Sequence, residues 1–149
     1  MAWRPTLLRA ALLAGVAACL GMAGGPAAAA GLSIDVSGIP EAVGNIRVSL
    51  FIRDTWLDDG RQTANLVVPA TSGNMTLTFP DLPVGTYGIA LIHDADGNGD
   101  MTYSLLGLPS EGFGFSNNVV PVLSAPSFDS ASFSLGPDGL HLQIALRHL

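Results

Sequence analysis

Residues 32–52 have the sequence LSIDVSGIPEAVGNIRVSLFI, in which apolar residues occupy every second position of residues 32–36 and again of residues 46–52. A period of two is typical of β-strands that have one face in a core and the other in solvent. The intervening residues 41–45 have hairpin length and turn-forming composition, so we predict that the two strands pair with each other.

Further strands follow at similar spacing. They are predicted at residues 65–68, 75–79, 87–92, 119–123, 131–135 and 140–146. Residues 79–87 are predicted to form a turn, and Asp138-Gly139 is a hairpin signal between the last two strands. With no convincing amphipathic helix, the pattern predicts an all-β fold, a single antiparallel β-sandwich of seven or eight strands with one long loop rich in Asp and Gly.

The first 30 residues are predicted to be a signal peptide. Arg4 and Arg9 supply the positive region, residues 7–22 supply an apolar stretch that Arg9 interrupts, and residues 28–30 offer an A-x-A cleavage site. The β-sandwich domain is therefore expected to span residues 31–149 and to be periplasmic or secreted, with no transmembrane segment after processing. Cys19 leaves a second interpretation open, because Val16-Ala17-Ala18-Cys19 loosely matches a lipoprotein box that would anchor the protein to a membrane through lipid.

The predicted mature chain is strongly acidic. Residues 1–30 contain two of the six basic residues and none of the twelve acidic ones, so four minus twelve gives a formal charge of −8. Nucleic-acid binding needs a cluster of basic side chains, and this chain has no lysine and few arginines. The charge therefore argues against nucleic-acid partners and against anionic membrane surfaces.

The predicted long loop, residues 93–118, has the spacing of a calcium-binding segment. Its D-A-D-G-N-G-D stretch resembles the D-x-[DN]-x-[DN]-G opening of calcium loops, in which alternate oxygen side chains converge on one ion. The twelfth position is Leu105 rather than the usual Glu, and no helices flank the loop, so an EF-hand is not expected. The predicted metal ligands are Asp94, Asp96, Asn98, Asp100 and Glu111. A solvated turn without metal would use the same Asp-Gly and Asn-Gly pairs, and both interpretations stay open here.

A second element, residues 112–118, alternates Phe with Gly and ends in two asparagines. Its aromatic rings and amides suggest a surface for a glycan or another component of the cell envelope, while the alternative is that the rings fold inward to cap the core. Predicted ligand-contacting residues are His93, Trp56, Phe113, Phe115, Asn117 and Asn118. Trp56 has the same two interpretations, core cover or exposed contact.

Catalysis is not predicted. His93 adjoins Asp94, and Ser104, Ser110 and Ser116 follow, but no G-x-S-x-G elbow or other positional signature marks a nucleophile. We therefore assign no catalytic residue and expect a protein that is not an enzyme.

These motifs together resemble the bacterial domain-of-unknown-function 2141 family of secreted proteins. The resemblance rests on residues 79–87, His93-Asp94, Gly97-Asn98-Gly99, Gly107-Leu108-Pro109, Glu111 and residues 114–118. It implies a small exported β-sandwich similar to transthyretin-like and immunoglobulin-like modules, with no established activity. The chain departs from the family pattern at Thr102 and Ser104, where acidic or amide residues are usual.

Overall fold

The computed structural model describes residues 27–149. Within them the chain forms eight strands, one short α-helix and two single 3-10 turns at residues 53–55 and 116–118. The strands and helix are β1 (Ala29–Ile39), β2 (Asn45–Phe51), β3 (Ala64–Pro69), β4 (Gly73–Pro83), β5 (Gly85–Asp94), β6 (Gly112–Phe115), α1 (Phe128–Ala131), β7 (Phe133–Leu135) and β8 (Leu140–Ala145).

Two sheets form the domain. One has the strand order β4-β1-β8, the other has the order β3-β2-β5-β6, and β7 pairs with the beginning of β5. Neighbouring strands are antiparallel except β1 and β8, which run parallel. The predicted all-β sandwich is confirmed, with this one parallel pair added.

Alternating apolar side chains make the core between the sheets. In β1 the residues Leu32, Ile34 and Val36 are fully buried, while their neighbours in sequence are more exposed. β2 and β7 alternate in the same way, whereas β5 and β6 contain runs of consecutive buried residues. The buried cluster draws on both sheets. Each fully buried aliphatic side chain contributes about 1.5–3 kcal/mol from the loss of water contact, so this alternation is the main source of stability.

Two predicted hairpins are wrong, although their turns exist. The segment after Ile39 takes the chain from β1 in one sheet to β2 in the other, so these strands do not pair. Likewise Gly139 donates a backbone hydrogen bond to Gly136, yet β7 pairs with β5 and β8 pairs with β1. Short turns permit pairing of the flanking strands, but burial of both apolar faces is achieved here by placing consecutive strands in opposite sheets.

The predicted turn at residues 79–87 is also mostly strand. β4 continues to Pro83, which lies opposite Ala29, and Val84 alone separates β4 from β5. Proline is tolerated because β4 is an edge strand, where a missing N–H need not face a neighbour.

Between Asp94 and the C-terminal strands the predictions were least accurate. Residues 119–123 form no strand, and the predicted strand at 131–135 divides into the end of α1 and the short β7. Conversely, residues 112–115, which we assigned to the long loop, form β6. A Cβ atom on Gly114 would lie 2.8 Å from Cγ2 of Ile144 and 3.1 Å from the carbonyl oxygen of Ala145. The Phe-Gly alternation therefore lets β6 lie close against β8.

The N-terminal end of the described chain bears on the expected processing site. β1 begins at Ala29, and Ala30 is buried opposite Leu82. The strand therefore includes the last two residues of the predicted signal peptide, while Cys19 and the rest of that peptide up to residue 26 lie outside the described residues. Within residues 27–149, no helix has the length and apolar character to cross a membrane.

Candidate metal site in the loop between β5 and β6

Strand pairing brings the two ends of the long loop together. Asp94 is the last residue of β5, Glu111 directly precedes β6, and His93 lies opposite Gly112 in the antiparallel pair. Asp94 and Glu111 flank this pair at the same end, so they are close in space. The N–H of Ala95 accordingly donates to Glu111, which is 16 positions further along the chain. The loop proper is therefore residues 95–111, shorter than predicted.

Three carboxylates meet at this end of the sheet. One oxygen from each of Asp94, Asp96 and Glu111 lies within 4.8 Å of the others, and we call these residues the carboxylate cluster. Asp94 is 1% exposed and Glu111 is 7% exposed, while Asp96 is exposed to solvent. The cluster is therefore buried at Asp94 and Glu111 and has an open side at Asp96.

Asp94 is the most deeply buried member of the cluster, and one of its two carboxylate oxygens lacks a hydrogen-bond partner among the described residues. Its Oδ2 accepts a hydrogen bond from the backbone N–H of Gly99 at 3.0 Å and lies 3.8 Å from Nη1 of Arg47. Its Oδ1 is buried and has no hydrogen-bond partner among the described residues. A buried polar atom without a partner costs about 1–3 kcal/mol, more when charged, so this oxygen is the least satisfied atom of the cluster.

Asp96 and Asn98 shape the loop through short hydrogen bonds to its backbone. Oδ1 of Asp96 accepts from the N–H of Asn98 at 3.0 Å, and Oδ1 of Asn98 accepts from the N–H of Asp100 at 2.8 Å. The hydroxyl of Thr102 donates to Oδ2 of Asp96 at 3.2 Å. These are consecutive Asx turns, which hold the alternate side chains on the inside of the bend.

Glu111 closes the loop from the other side. Its Oε1 accepts from the N–H of Ala95 and its Oε2 accepts from the N–H of Thr102, both at 3.0 Å. One buried side chain therefore ties the first residue of the loop to its middle.

The structure places three of the five predicted metal ligands in the carboxylate cluster and two outside it. The structure brings Asp94, Asp96 and Glu111 together, whereas the side-chain oxygen of Asn98 is used by a backbone N–H. Asp100 is exposed and is not one of the clustered carboxylates among the described residues.

Charge repulsion within the cluster is substantial. Two charged carboxylate oxygens within 4.8 Å of each other repel by about 3.5 kcal/mol or more at an effective dielectric constant of about 20. Within the described chain, Arg47 is the one basic side chain within 4 Å of Asp94, and its single positive charge offsets only part of the charge of three carboxylates. A divalent cation held by oxygen ligands would neutralise the rest.

Sequence reasoning missed the β2 side of this site. Asn45 lies opposite Asp94, and Arg47 lies two residues further along β2. Gly44 has a φ of 67°, and a Cβ atom there would lie 2.0 Å from the carbonyl oxygen of Asp94. The Gly44-Asn45 pair was a detectable turn signal, but its proximity to Asp94 depends on how β2 and β5 pair.

His93 lies inside the domain rather than on a contact surface. It is 2% exposed, and its Nε2 lies 2.7 Å from the carbonyl oxygen of Val43. The ring thus ties the end of β5 to the connection that precedes β2.

The serines that follow His93 bond to the backbone as well. Ser116 is fully buried, its hydroxyl accepting from the N–H of Ile89 and donating to the carbonyl of Ala131. Ser110 donates to the carbonyl oxygen of Thr102, and Ser104 accepts from the N–H of Leu108.

Trp56 belongs to a partly buried aromatic group. Its Nε1 donates to the carbonyl oxygen of Pro126 at 2.8 Å, and its ring packs edge-on against Phe51 and Phe128 with centroids 5.7 Å apart. Phe115 is the fourth member at 6.2 Å. These contacts correspond to the core-covering interpretation of Trp56.

The remaining predicted contact residues also have intramolecular partners. Phe113 is 5% exposed. The amide of Asn117 donates to the carbonyls of Ser130 and Ser132, and Asn118 both donates to Gln143 and accepts from Ala145. The two amides therefore link the segment after β6 to its neighbours.

Comparison with known proteins identifies the family. No curated protein and no solved structure is significantly similar to the chain. A family model does match over residues 34–143, most of the described chain, and it represents uncharacterised proteins conserved in bacteria. The match includes the whole 95–111 loop and every strand apart from the beginning of β1 and the end of β8. The chain thus belongs to the bacterial domain-of-unknown-function 2141 family.

Proposed function

We propose that this protein is an exported, non-enzymatic β-sandwich whose 95–111 loop is stabilised by a calcium ion bound to the carboxylate cluster. The observation that supports the proposal most strongly is Asp94: a carboxylate 1% exposed, with one oxygen unpaired among the described residues, beside two further carboxylates. A buried negative charge is retained at such a position when a cation compensates it.

The ligand chemistry favours calcium. The cluster offers oxygen atoms only, which suits calcium, magnesium and manganese rather than zinc or copper. Calcium accepts six to eight oxygens at about 2.4 Å in irregular geometry, so backbone carbonyls of the loop and water would complete its shell. Magnesium requires a nearly ideal octahedron, which three carboxylates on a bent loop with an open side do not impose.

Calcium binding would hold the parts of the loop together as well as neutralise the carboxylates. Asp94 lies at the end of β5, Asp96 lies in the bend, and Glu111 directly precedes β6, so one ion would join all three parts. With free calcium tenfold above Kd, binding to the folded state alone adds about 1.4 kcal/mol to the free energy of unfolding.

The glycan-binding alternative has less support. Trp56 and both asparagine amides are engaged in intramolecular hydrogen bonds, and Phe113 is buried. A catalytic role has less support for a similar reason, since the buried ring of His93 bonds to a backbone carbonyl.

Thermal unfolding of residues 27–149 tests the proposal. Every residue of the buried core lies between Ala30 and Leu146, so this fragment contains the complete described core. We expect millimolar calcium to raise the Tm by about 4–8 °C relative to chelator, and magnesium to raise it much less. Asp81→Asn, which changes an exposed carboxylate on β4, should retain the calcium response. Equal Tm values in calcium and chelator would contradict the proposal.

A further inference from the structure

Beyond the carboxylate cluster, the middle of the loop forms a small hairpin that we call the finger, residues 102–110. Tyr103 and Pro109 form an antiparallel bridge, Ser104 donates its N–H to the carbonyl of Leu108 at 2.8 Å, and Ser110 donates to Thr102 at 2.9 Å. At the tip, Gly107 donates to the carbonyl of Ser104 at 2.9 Å. The finger is thus an ordered hairpin whose tip is a β-turn.

Its tip is apolar and exposed. Leu105 and Leu106 occupy the two corners of the turn and are 107% and 85% exposed, while Leu108 is 50% and Tyr103 is 62% exposed. No charged residue occurs between Asp100 and Glu111. Leu105, Leu106 and Leu108 lie within four consecutive positions, and this concentration of exposed leucine at one turn indicates a surface that contacts something apolar.

We propose that the finger inserts Leu105 and Leu106 into the interfacial region of a zwitterionic phospholipid membrane. A stable protein partner or a second copy would need an interface of about 1,600 Å² in total, whereas a leucine turn offers on the order of a few hundred Å². A bilayer does not need a matching surface, because each apolar side chain gains free energy as it leaves water.

Several features of the finger fit a lipid interface. Tyr103 flanks the leucines, and tyrosine prefers the boundary between headgroups and acyl chains. Four backbone groups near the tip are paired within the hairpin, which lowers the cost of removing them from water. The acidic domain would be repelled by anionic lipid, so a zwitterionic surface is the better match.

The base of the finger is connected to the metal site. Thr102 donates its N–H to Oε2 of Glu111 and its hydroxyl to Oδ2 of Asp96, both members of the carboxylate cluster. An ion bound there would fix the orientation of the finger and screen the charge beneath it. This calcium dependence rests on the proposed function, whereas insertion by the leucines does not.

Flotation with phosphatidylcholine vesicles tests the inference, using residues 27–149 so that the apolar N-terminal stretch does not itself bind lipid. The test variant is Leu105→Ser with Leu106→Ser. Its matched control is Val122→Ser with Leu123→Ser, which removes two side chains that are 86% and 99% exposed in a different loop. Both variants should keep the wild-type Tm, because neither changes a buried residue.

We expect the wild-type protein to float in calcium and the control to match it. Loss of two inserted leucines should lower the partition coefficient of the test variant at least about tenfold. Failure of the wild-type protein to bind, or equal binding by the test variant, would overturn the inference. So would self-association in lipid-free solution that the test variant abolishes, because the leucines would then contact a second copy.

Repeating the flotation in chelator separates the two proposals. Weaker binding in chelator supports the calcium dependence. Equal binding in calcium and chelator, still lost in the test variant, retains insertion and refutes the dependence. If calcium does not raise the Tm but flotation still depends on the leucines, the metal site is refuted and membrane insertion is retained.

Discussion

Replacing Asp94 by Asn should remove the calcium response while leaving the metal-free protein at least as stable as the wild type. The substitution preserves shape and removes one buried charge. At an effective dielectric constant of about 20, it eliminates about 3.5 kcal/mol or more of repulsion from each of the two other carboxylates, whose oxygens lie within 4.8 Å; solvent screening reduces the share of the exposed Asp96. It also eliminates about 4.4 kcal/mol of attraction to Arg47 at 3.8 Å, before discounting for the partial exposure of the arginine.

Repulsion from the two carboxylates, about 7 kcal/mol before solvent screening, exceeds the attraction to Arg47, so we expect the free energy of unfolding in chelator to stay the same or to rise. In calcium at ten times the wild-type Kd, however, the variant should lack the full gain of about 1.4 kcal/mol. The asparagine carbonyl can still accept from Gly99, so the bend of the loop is retained.

Chemical denaturation of Asp94→Asn, wild type and Asp81→Asn, each in chelator and in calcium, measures both quantities. The expected pattern is a calcium-dependent difference for the wild type and the control only. A variant that keeps the calcium gain would show that Asp94 is not a ligand. A loss of several kcal/mol in chelator would show instead that Asp94 stabilises the fold mainly through Arg47, and the electrostatic argument for a bound cation would then be wrong.

Two further predictions use other parts of the structure. Gly44→Ala should destabilise the protein by more than about 2 kcal/mol in chemical denaturation, because a Cβ there would lie 2.0 Å from the carbonyl oxygen of Asp94 at a φ of 67°. The control Gly60→Ala, at a φ of 77° with open space around it, should cost only about 1 kcal/mol. Equal costs for the two substitutions would refute the steric argument. The hydrogen bond and ion pair with Arg53 lower the pKa of Asp129, so the stability they contribute is present above the ordinary carboxylate pKa and is lost as pH falls through the lowered value. An NMR titration should find the pKa of Asp129 below its usual range and restored in Arg53→Gln; an unchanged pKa in that variant would contradict the pairing.

Local patterns predicted most of the strands, and long-range pairing decided their partners. The alternation in residues 32–36 and 46–52 depends only on one buried face, and the structure has strands there as expected. Nothing local distinguishes a hairpin between β1 and β2 from a crossing between sheets. β6 was missed because its glycines suggested flexibility, whereas their small size is required by contact with β8.

The sequence by itself determined the all-β class, the acidic character, the resemblance to the family and the run of carboxylate and amide residues after β5, because each depends on composition or on spacing within a short segment. Only the tertiary structure decided that Glu111 meets Asp94 and Asp96, that Arg47 lies beside Asp94, and that the leucine turn is exposed. The physical reason is that these contacts join residues from different strands, and the register between strands is set by packing of the whole core.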